Sequence, residues 1–434
     1  MSLTMVGVLG IFALLFFLFV FGIPVGFIMG IVGFVGFSHV ISLDAGFNML
    51  ATVTWDTFSS YGLTVIPLFI FMGQIAFYSG VNEKLYTAAY MWLGHIRGGL
   101  AMSTIMACSA FAAICGSNAA TAATMTTVAL PQMNRYKYEP MLSTGAIACG
   151  STLGTVIPPS VVLIIIGLST EQSIAKLFYG GLGAGILLAF LLILTVYVVC
   201  TIHPAWGPVG EKTTFKEKIK SLAGAVEMLI LFMVVMFGLY FGLFTPTEAG
   251  AIGSFFAVVI GVVQKRLSWD DFYNSIFDTL KVSCMVIVII TGAMVFGRFL
   301  AITRIPFDIA SWVVALPFSK VTIMAIIFLI YAVGGAVMDA LALLLITIPI
   351  FFPVAVELGY DPIWFGVTVT IVTTLGAVTP PVGATTYVVG GMAKDVPLER
   401  VFKGVAYFLP AYVLCIVLMM LFPKVVLFLP NLLK

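Results

Sequence analysis

The sequence predicts an all-α polytopic membrane protein made of two inverted repeats, each with about five transmembrane helices and one re-entrant helical hairpin. Three observations carry the prediction. The first is composition: of 434 residues, 62% are hydrophobic and only 9% charged, whereas a soluble domain carries roughly 25% charged residues. The second is an internal repeat. Thr152-Leu153-Gly154-Thr155-Val156-Ile157-Pro158-Pro159 returns as Thr374-Leu375-Gly376-Ala377-Val378-Thr379-Pro380-Pro381, six of eight residues identical at an offset of 222. The same offset carries Tyr138-Glu139-Pro140 onto Tyr360-Asp361-Pro362, Pro131 onto Pro353 and Pro24 onto Pro246, the mark of a tandem duplication. The third is that the best-matched stretch is one where a hydrophobic helix must break, since each proline lacks an N–H and clashes with the preceding turn.

Spanning helices need about 20 apolar residues. The first copy (1–203) offers runs near 4–21, 24–41, 62–79, 141–168 and 178–202, and the second (222–434) offers 222–244, 246–264, 282–301, 361–391 and 401–429. The first run lacks a basic flank and a small-residue cleavage site, so it reads as a retained helix. Each copy also holds a longer apolar stretch divided by a small polar tip: 98–134 around Gly116-Ser117-Asn118, and 321–357 around Met338-Asp339-Ala340. Arms of about 15–18 residues fall short of a full crossing, so both stretches read as hairpins that enter and leave on one side. Segments 80–97 and 302–320 mix charges with apolar residues; the first is amphipathic enough to lie along the interface, the alternative being an ordinary loop. The 42–61 stretch reads as a loop and 204–221 as a linker between the copies.

Five crossings plus a hairpin is an odd number, so the second copy inserts upside down. With residue 1 outside, the inside loops collect Lys84, Arg97, Arg135, Lys137, Lys212, Lys216, Lys218, Lys220, Lys265, Arg266, Lys281, Lys394, Arg400 and Lys403, which is 14 of the 20 Lys and Arg. The positive-inside rule then places both termini outside. A net charge of +2 without clustered Lys and Arg argues against nucleic acid. All six cysteines lie in apolar segments without a CxxC spacing and read as small buried hydrophobes. No GxxxxGK[ST] loop, HExxH or Ser/His arrangement appears, so neither ATP hydrolysis nor intramembrane proteolysis is indicated.

The chemistry concentrates at breaks and tips. Two prolines in mid-helix after a glycine release carbonyls at Gly154–Ile157 and Gly376–Thr379, which suit a hard cation such as Na⁺; Thr152, Thr155, Ser160, Thr374 and Thr379 offer hydroxyls. A kink that only shapes packing is the plain alternative. At the first tip, Gly116 precedes two good caps, Ser117 and Asn118, and the arm that starts there points its N–H groups and positive dipole end into the protein, where a carboxylate would sit. Gly334, Gly335 and Asp339 stand at the equivalent place, with Asp339 aligned on Ser117. Asp339 and Arg298 are the ionisable groups deepest in apolar segments, which makes each a functional candidate; Arg298 lies near a helix end, from which it can snorkel. Glu248, after Pro246, is explained by capping.

The run Gly116-Ser117-Asn118-Ala119-Ala120-Thr121, the two LGxVxPP breaks, Thr245-Pro246-Thr247-Glu248-Ala249-Gly250-Ala251 and the Pro380-Pro381-Val382-Gly383 turn together resemble the large membrane subunit of tripartite ATP-independent periplasmic transporters. The resemblance covers nearly the whole chain. It implies a multi-pass protein of the bacterial inner membrane that imports an organic acid with two or more Na⁺ ions. It also implies delivery of the substrate by a periplasmic substrate-binding protein and a separate small four-helix membrane subunit as brace. An elevator-type fold is implied as well, with scaffold regions 1–97 and 222–320 and moving hairpin-plus-broken-helix units 98–170 and 321–392. Carried onto this sequence, one Na⁺ site falls on Ser117, Asn118, Gly154 and Val156 and a second on Gly335, Met338, Gly376 and Thr379. Substrate contacts fall on Ser117, Asn118, Ser160, Arg298 and Asp339, with Arg298 hinting at sialic acid rather than a C4-dicarboxylate. A binding-protein-independent Na⁺/dicarboxylate symporter and an uncoupled channel-type subunit are the rival expectations.

Overall fold

A computed structural model of the chain describes residues 2–210, 213–222, 226–314 and 317–433; Lys212 and the start of the expected 222–244 crossing lie outside them. Among the described residues every regular element is helical. Seven helices are long and apolar enough to cross a membrane, and shorter apolar helices accompany them.

The repeat is legible element by element. Adding 222 to Asn118–Arg135 gives 340–357, which is the observed helix Ala340–Glu357. The same shift takes Val25–Val40 to within a residue of Pro246–Val263 at its start, Gly99–Cys115 onto Lys320–Gly335, Pro140–Ser151 onto Pro362–Val378, and Val161–Thr170 onto Ala384–Met392. Segment 80–97, read as amphipathic and interfacial rather than as a loop, holds a helix, and so does 302–320. Val81–Leu93 buries Val81, Leu85, Tyr86, Ala88 and Ala89 against the first hairpin, where Ser103 Oγ donates to the Ala89 carbonyl at 3.1 Å. Its counterpart is Ile305–Val314.

The 42–61 loop is corrected to a helix, Leu43–Ser59, started by Ser42, whose Oγ accepts from Ala45 N at 3.2 Å. Asp44, Asn48, Thr52 and Asp56 interrupt its apolar run, so it fails a length criterion built for crossings. Its exposed Phe47, Trp55 and Phe58 suit the membrane interface instead. In the second copy the matching stretch is 265–281, and its residues from Trp269 onward run on into the following crossing as one helix, Trp269–Ile302.

Two glycine-lined contacts hold the outer crossings together. Val25–Val40 runs parallel to Trp269–Ile302, so close that a Cβ at Gly26 would lie 2.9 Å from Ile289 Cα and one at Gly33 2.7 Å from Phe296 Cα. Pro246–Val263 packs in the same parallel sense on Val65–Tyr78, Gly250 against Leu68 and Gly253 against Met72. These are counterparts exchanged between copies. Small residues that admit backbone approach are the usual route to tight helix pairs in lipid.

The connecting loops fall into two groups, and among the described residues no hydrogen bond or ion pair joins one group to the other. One joins Arg400 to Glu139 at 3.0 Å, Arg266 to Glu227 at 3.4 Å, Gly98 N to the Gly207 carbonyl at 2.9 Å and Tyr78 Oη to Asp278 at 2.7 Å. The other joins Thr4 to Asp308 at 3.0 Å and packs Gly180 and Gly183 against the C-terminal helix Lys424–Leu432. The two termini therefore share a face, and the Lys- and Arg-rich loops lie on the opposite one.

Candidate functional site

Each hairpin tip rests on the break of its own copy. In the first, Gly116 adopts φ +61°, and Ser117 then caps Asn118–Arg135, its Oγ accepting from Ala120 N at 3.4 Å. A Cβ at Gly116 would lie 2.7 Å from the Pro159 carbonyl oxygen, and one at Gly154 would lie 3.0 Å from the carbonyl of Ser117. In the second, a Cβ at Gly376 would lie 2.5 Å from the Gly335 carbonyl carbon, and the Ala336 carbonyl accepts from Val382 N at 3.0 Å and Gly383 N at 3.3 Å. Only glycine permits this approach, and the break glycine recurs at the same place in both copies as Gly154 and Gly376.

The breaks differ in detail. Pro140–Ser151 tightens into a 3₁₀ turn over Thr152–Thr155, passes through cis Pro158-Pro159 and restarts as Val161–Thr170. Pro362–Val378 stops at Thr379, passes cis Pro380-Pro381 and restarts as Ala384–Met392 after Gly383 at φ +54°. Several released carbonyls are recaptured by hydroxyls. Thr155 Oγ1 donates to Thr152 O at 3.1 Å, Ser160 Oγ donates to Thr155 O, and Thr379 Oγ1 donates to Leu375 O and Gly376 O. Among the described residues no hydrogen bond reaches the carbonyl oxygens of Gly154, Val156, Gly335 or Met338. Asn118 Oδ1 is likewise buried without a partner. An unpaired oxygen at a buried position is costly and calls for a water, an ion or strain to explain it; Gly154, Val156 and Gly335 are buried residues and Met338 is half-buried.

Both tips open into one cavity of about 390 Å³, within the usual range for small-molecule pockets. Ser117, Asn118, Met338 and Asp339 line it together. Its most telling feature was not visible from the tips alone. The first-turn residues of four helices line the same space: Asn118 and Ala119, Val161 and Val162, Ala340 and Leu341, Ala384 and Thr385. Each helix start carries roughly half a positive charge from its aligned peptide dipoles. The opposite wall comes from the outer crossings as Ile70, Val282, Met285, Val286 and the amide of Gln74.

The remaining expected site residues distribute unevenly. Asp339 faces the cavity and caps Ala340–Glu357, its Oδ1 accepting from Leu341 N at 2.9 Å. Ser160 is fully buried and engaged as the cap of Val161–Thr170, accepting from Leu163 N at 3.3 Å. The Val156 carbonyl faces Gly181, where a Cβ would meet it at 2.6 Å, rather than the tip. Arg298 is separated from the cavity: it lies 12 residues beyond Val286 on Trp269–Ile302, about 18 Å along the axis, and lines a different groove with Asn48 and Thr52. An end-of-helix position for snorkelling and a place in the tip cavity are incompatible on one rigid helix. Glu248 is a cap, its carboxylate accepting from Thr245 N at 2.8 Å. Gln74 went unremarked in sequence, though a lone amide within the apolar run 62–79 was a usable signal.

Comparison with known proteins agrees with this architecture. Residues 12–425 match the family described as "Tripartite ATP-independent periplasmic transporter, DctM component". The chain is 33% identical over 383 residues, covering 88% of it and 89% of the relative, to the C4-dicarboxylate TRAP transporter large permease protein DctM of Pseudomonas aeruginosa. It is 30% identical over 413 residues, 95% of each chain, to the sialic acid TRAP transporter large permease protein SiaM of Vibrio cholerae. Among solved structures it resembles the YdaH transporter of Alcanivorax borkumensis, with a TM-score of 0.62 at 15% identity over 88% of this chain and 90% of that one, a likeness of fold.

Proposed function

The chain belongs to the DctM-component family of tripartite ATP-independent periplasmic transporters, and from that premise we propose that it is the Na⁺-coupled importer of an organic acid in such a system. The observation that carries the proposal is the convergence of four helix starts on one cavity between the hairpin units and the outer crossings. Such a place attracts a carboxylate. The substrate class is a carboxylate of the sialic acid or C4-dicarboxylate kind, the two chemistries named for similar relatives.

Coupling to Na⁺ rests on the unpaired oxygens. Asn118 Oδ1 and the Gly154 carbonyl lie beside Ser117 at one tip; the Gly335 and Met338 carbonyls lie at the other. Hard cations take such oxygen sets. The hydroxyl oxygens of Ser117 and Thr379 keep lone pairs for such a shell, since Ser117 Oγ accepts a single N–H and Thr379 Oγ1 acts as a donor. Movement as an elevator is supported by the contrast between interfaces. Tips and breaks touch through glycine backbone, whereas the cavity wall on the outer crossings is apolar apart from Gln74 and lacks interdigitated charge that would resist sliding. The Lys- and Arg-rich loop face is assigned to the cytoplasm, which leaves both termini periplasmic. A periplasmic binding protein and a small membrane subunit complete the system.

Uptake into proteoliposomes containing this chain and its small membrane partner tests the proposal, with and without an inward Na⁺ gradient and with and without a periplasmic binding protein. Accumulation that requires both supports it. Uptake with Na⁺ alone would favour an independent symporter, and gradient-independent leakage an uncoupled pore.

A further inference from the structure

Two cavities outside the tip site lie along the same three helices, Val25–Val40, Leu43–Ser59 and Trp269–Ile302. One, of about 370 Å³, is almost wholly apolar, with a floor of Gly26, Gly30 and Gly292 between walls that include Phe27, Phe34 and Phe58. The other, of about 580 Å³, holds Arg298, Asn48 and Thr52 beside Phe37 and Ile302. They follow one another on single helix faces: Val288, Thr291 and Val295 lead by threes and fours to Arg298 and Ile302, and Gly30 and Phe34 lead to Phe37. The result is a groove with a greasy end and a cationic end.

We propose that this groove binds one phospholipid, its phosphate on Arg298 and an acyl chain in the glycine-floored trough. Length decides for a lipid over a free anion. Val288 to Arg298 is ten residues, about 15 Å of helix, which matches one leaflet of a hydrocarbon core about 30 Å thick. Arg298 thus stands at headgroup depth while the trough reaches the midplane. Charge decides the headgroup. Among the described residues no carboxylate lies within salt-bridge distance of Arg298, and a guanidinium at the edge of hydrocarbon takes an anionic partner, phosphate being matched to its fork of donors. Asn48 and Thr52 supply neutral donors for the glycerol and ester oxygens. The trough is open because the floor lacks side chains: a Cβ at Gly30 would meet only Gly292 Cα, at 3.9 Å.

The test is native mass spectrometry of the full chain in detergent, titrated with phosphatidylglycerol, phosphatidylethanolamine and sn-glycerol 3-phosphate. The expected result is one bound phospholipid per chain, with retention falling about tenfold or more in Arg298→Gln, falling less in Arg298→Lys, which keeps the charge but not the fork, and falling about tenfold in Gly30→Leu, which fills the trough and leaves the charge. Wild-type retention in both Arg298→Gln and Gly30→Leu would overturn the proposal. So would competition by sn-glycerol 3-phosphate at equal concentration, which would reduce the site to a simple anion pocket. The third contrary outcome is loss of the bound lipid when the small membrane subunit is co-purified, which would make the groove a protein interface.

Discussion

Gly376→Ala isolates the contact between a hairpin tip and a helix break. The added Cβ would stand 2.5 Å from the Gly335 carbonyl carbon, 2.6 Å from its Cα and 2.7 Å from the Ala332 carbonyl oxygen. All three are backbone atoms, so no side chain can swing away, and ordinary carbon contacts of about 3.5–4.0 Å require the tip to retreat by roughly 1 Å. Overpacking of this kind costs typically 1–3 kcal/mol. If Na⁺ binds only when tip and break are closed on each other, that cost appears as a weaker ion, about 5- to 150-fold in the Na⁺ concentration for half-maximal uptake. Gly154→Ala, where the nearest atoms are at 3.0 Å, should show the milder version. Gly297→Ala meets nothing within 4 Å and serves as the control. Na⁺ titration of uptake in proteoliposomes, with the Na⁺-dependent rise in melting temperature as a second readout, gives the ranking. A Gly376→Ala protein that folds and keeps the wild-type Na⁺ dependence would refute the assignment of the second ion to this contact.

Asn118→Ala removes the one buried, unpartnered side-chain oxygen at the first tip and should weaken Na⁺ about tenfold, measured by the same titration, while Asn118→Asp should retain more affinity. Gln74→Leu removes the only amide on the outer wall of the tip cavity; substrate KM should rise severalfold with the Na⁺ requirement unchanged, measured in uptake assays. Arg400→Ala breaks a partly exposed pair with Glu139 at 3.0 Å, worth at most about 1 kcal/mol, so thermal unfolding should shift by only a few degrees.

The duplication made most of the fold legible, because an offset of 222 carries the hairpins, the broken helices and most crossings of one copy onto the other. Crossings and hairpins followed from run length and from Pro and Gly. What escaped were helices whose stability comes from packing rather than from unbroken apolarity. Leu43–Ser59 carries Asp44, Asn48, Thr52 and Asp56 on one side, and for Val81–Leu93, read as amphipathic, what periodicity did not give is its burial against the hairpin that starts at Gly99. Within the site, tips and breaks were legible from residue type: Ser117, Asn118, Gly154, Gly335 and Gly376 meet as pairs that only glycine allows. Arg298 lies outside the cavity because it stands about 18 Å along the helix axis from Val286, a separation that membership of the same apolar run does not reveal. The carbonyl direction of Val156 and the occupied hydroxyl of Ser160 are properties of backbone torsion and capping that residue type does not encode.

The charges around the cavity constrain the order of binding. Four helix starts favour an anion, and Asp339, whenever it is ionised, stands among them as a competing carboxylate. A substrate carboxylate about 6 Å from it would be repelled by roughly 3 kcal/mol at an effective dielectric constant near 20, a factor of about 100 in affinity. Under the proposed coupling, a cation held by the Gly335 and Met338 carbonyls would sit near Asp339 and offset that repulsion, and sodium would then be a condition for substrate rather than a passenger. Substrate affinity in the purified protein should therefore rise about 100-fold between Na⁺-free and saturating Na⁺ buffers, followed by calorimetry. In Asp339→Asn the repulsion is gone, so the Na⁺-free affinity should rise and the dependence flatten. An unchanged Na⁺ dependence in that variant would mean that sodium acts by ordering the tips alone and that Asp339 has no part in the coupling.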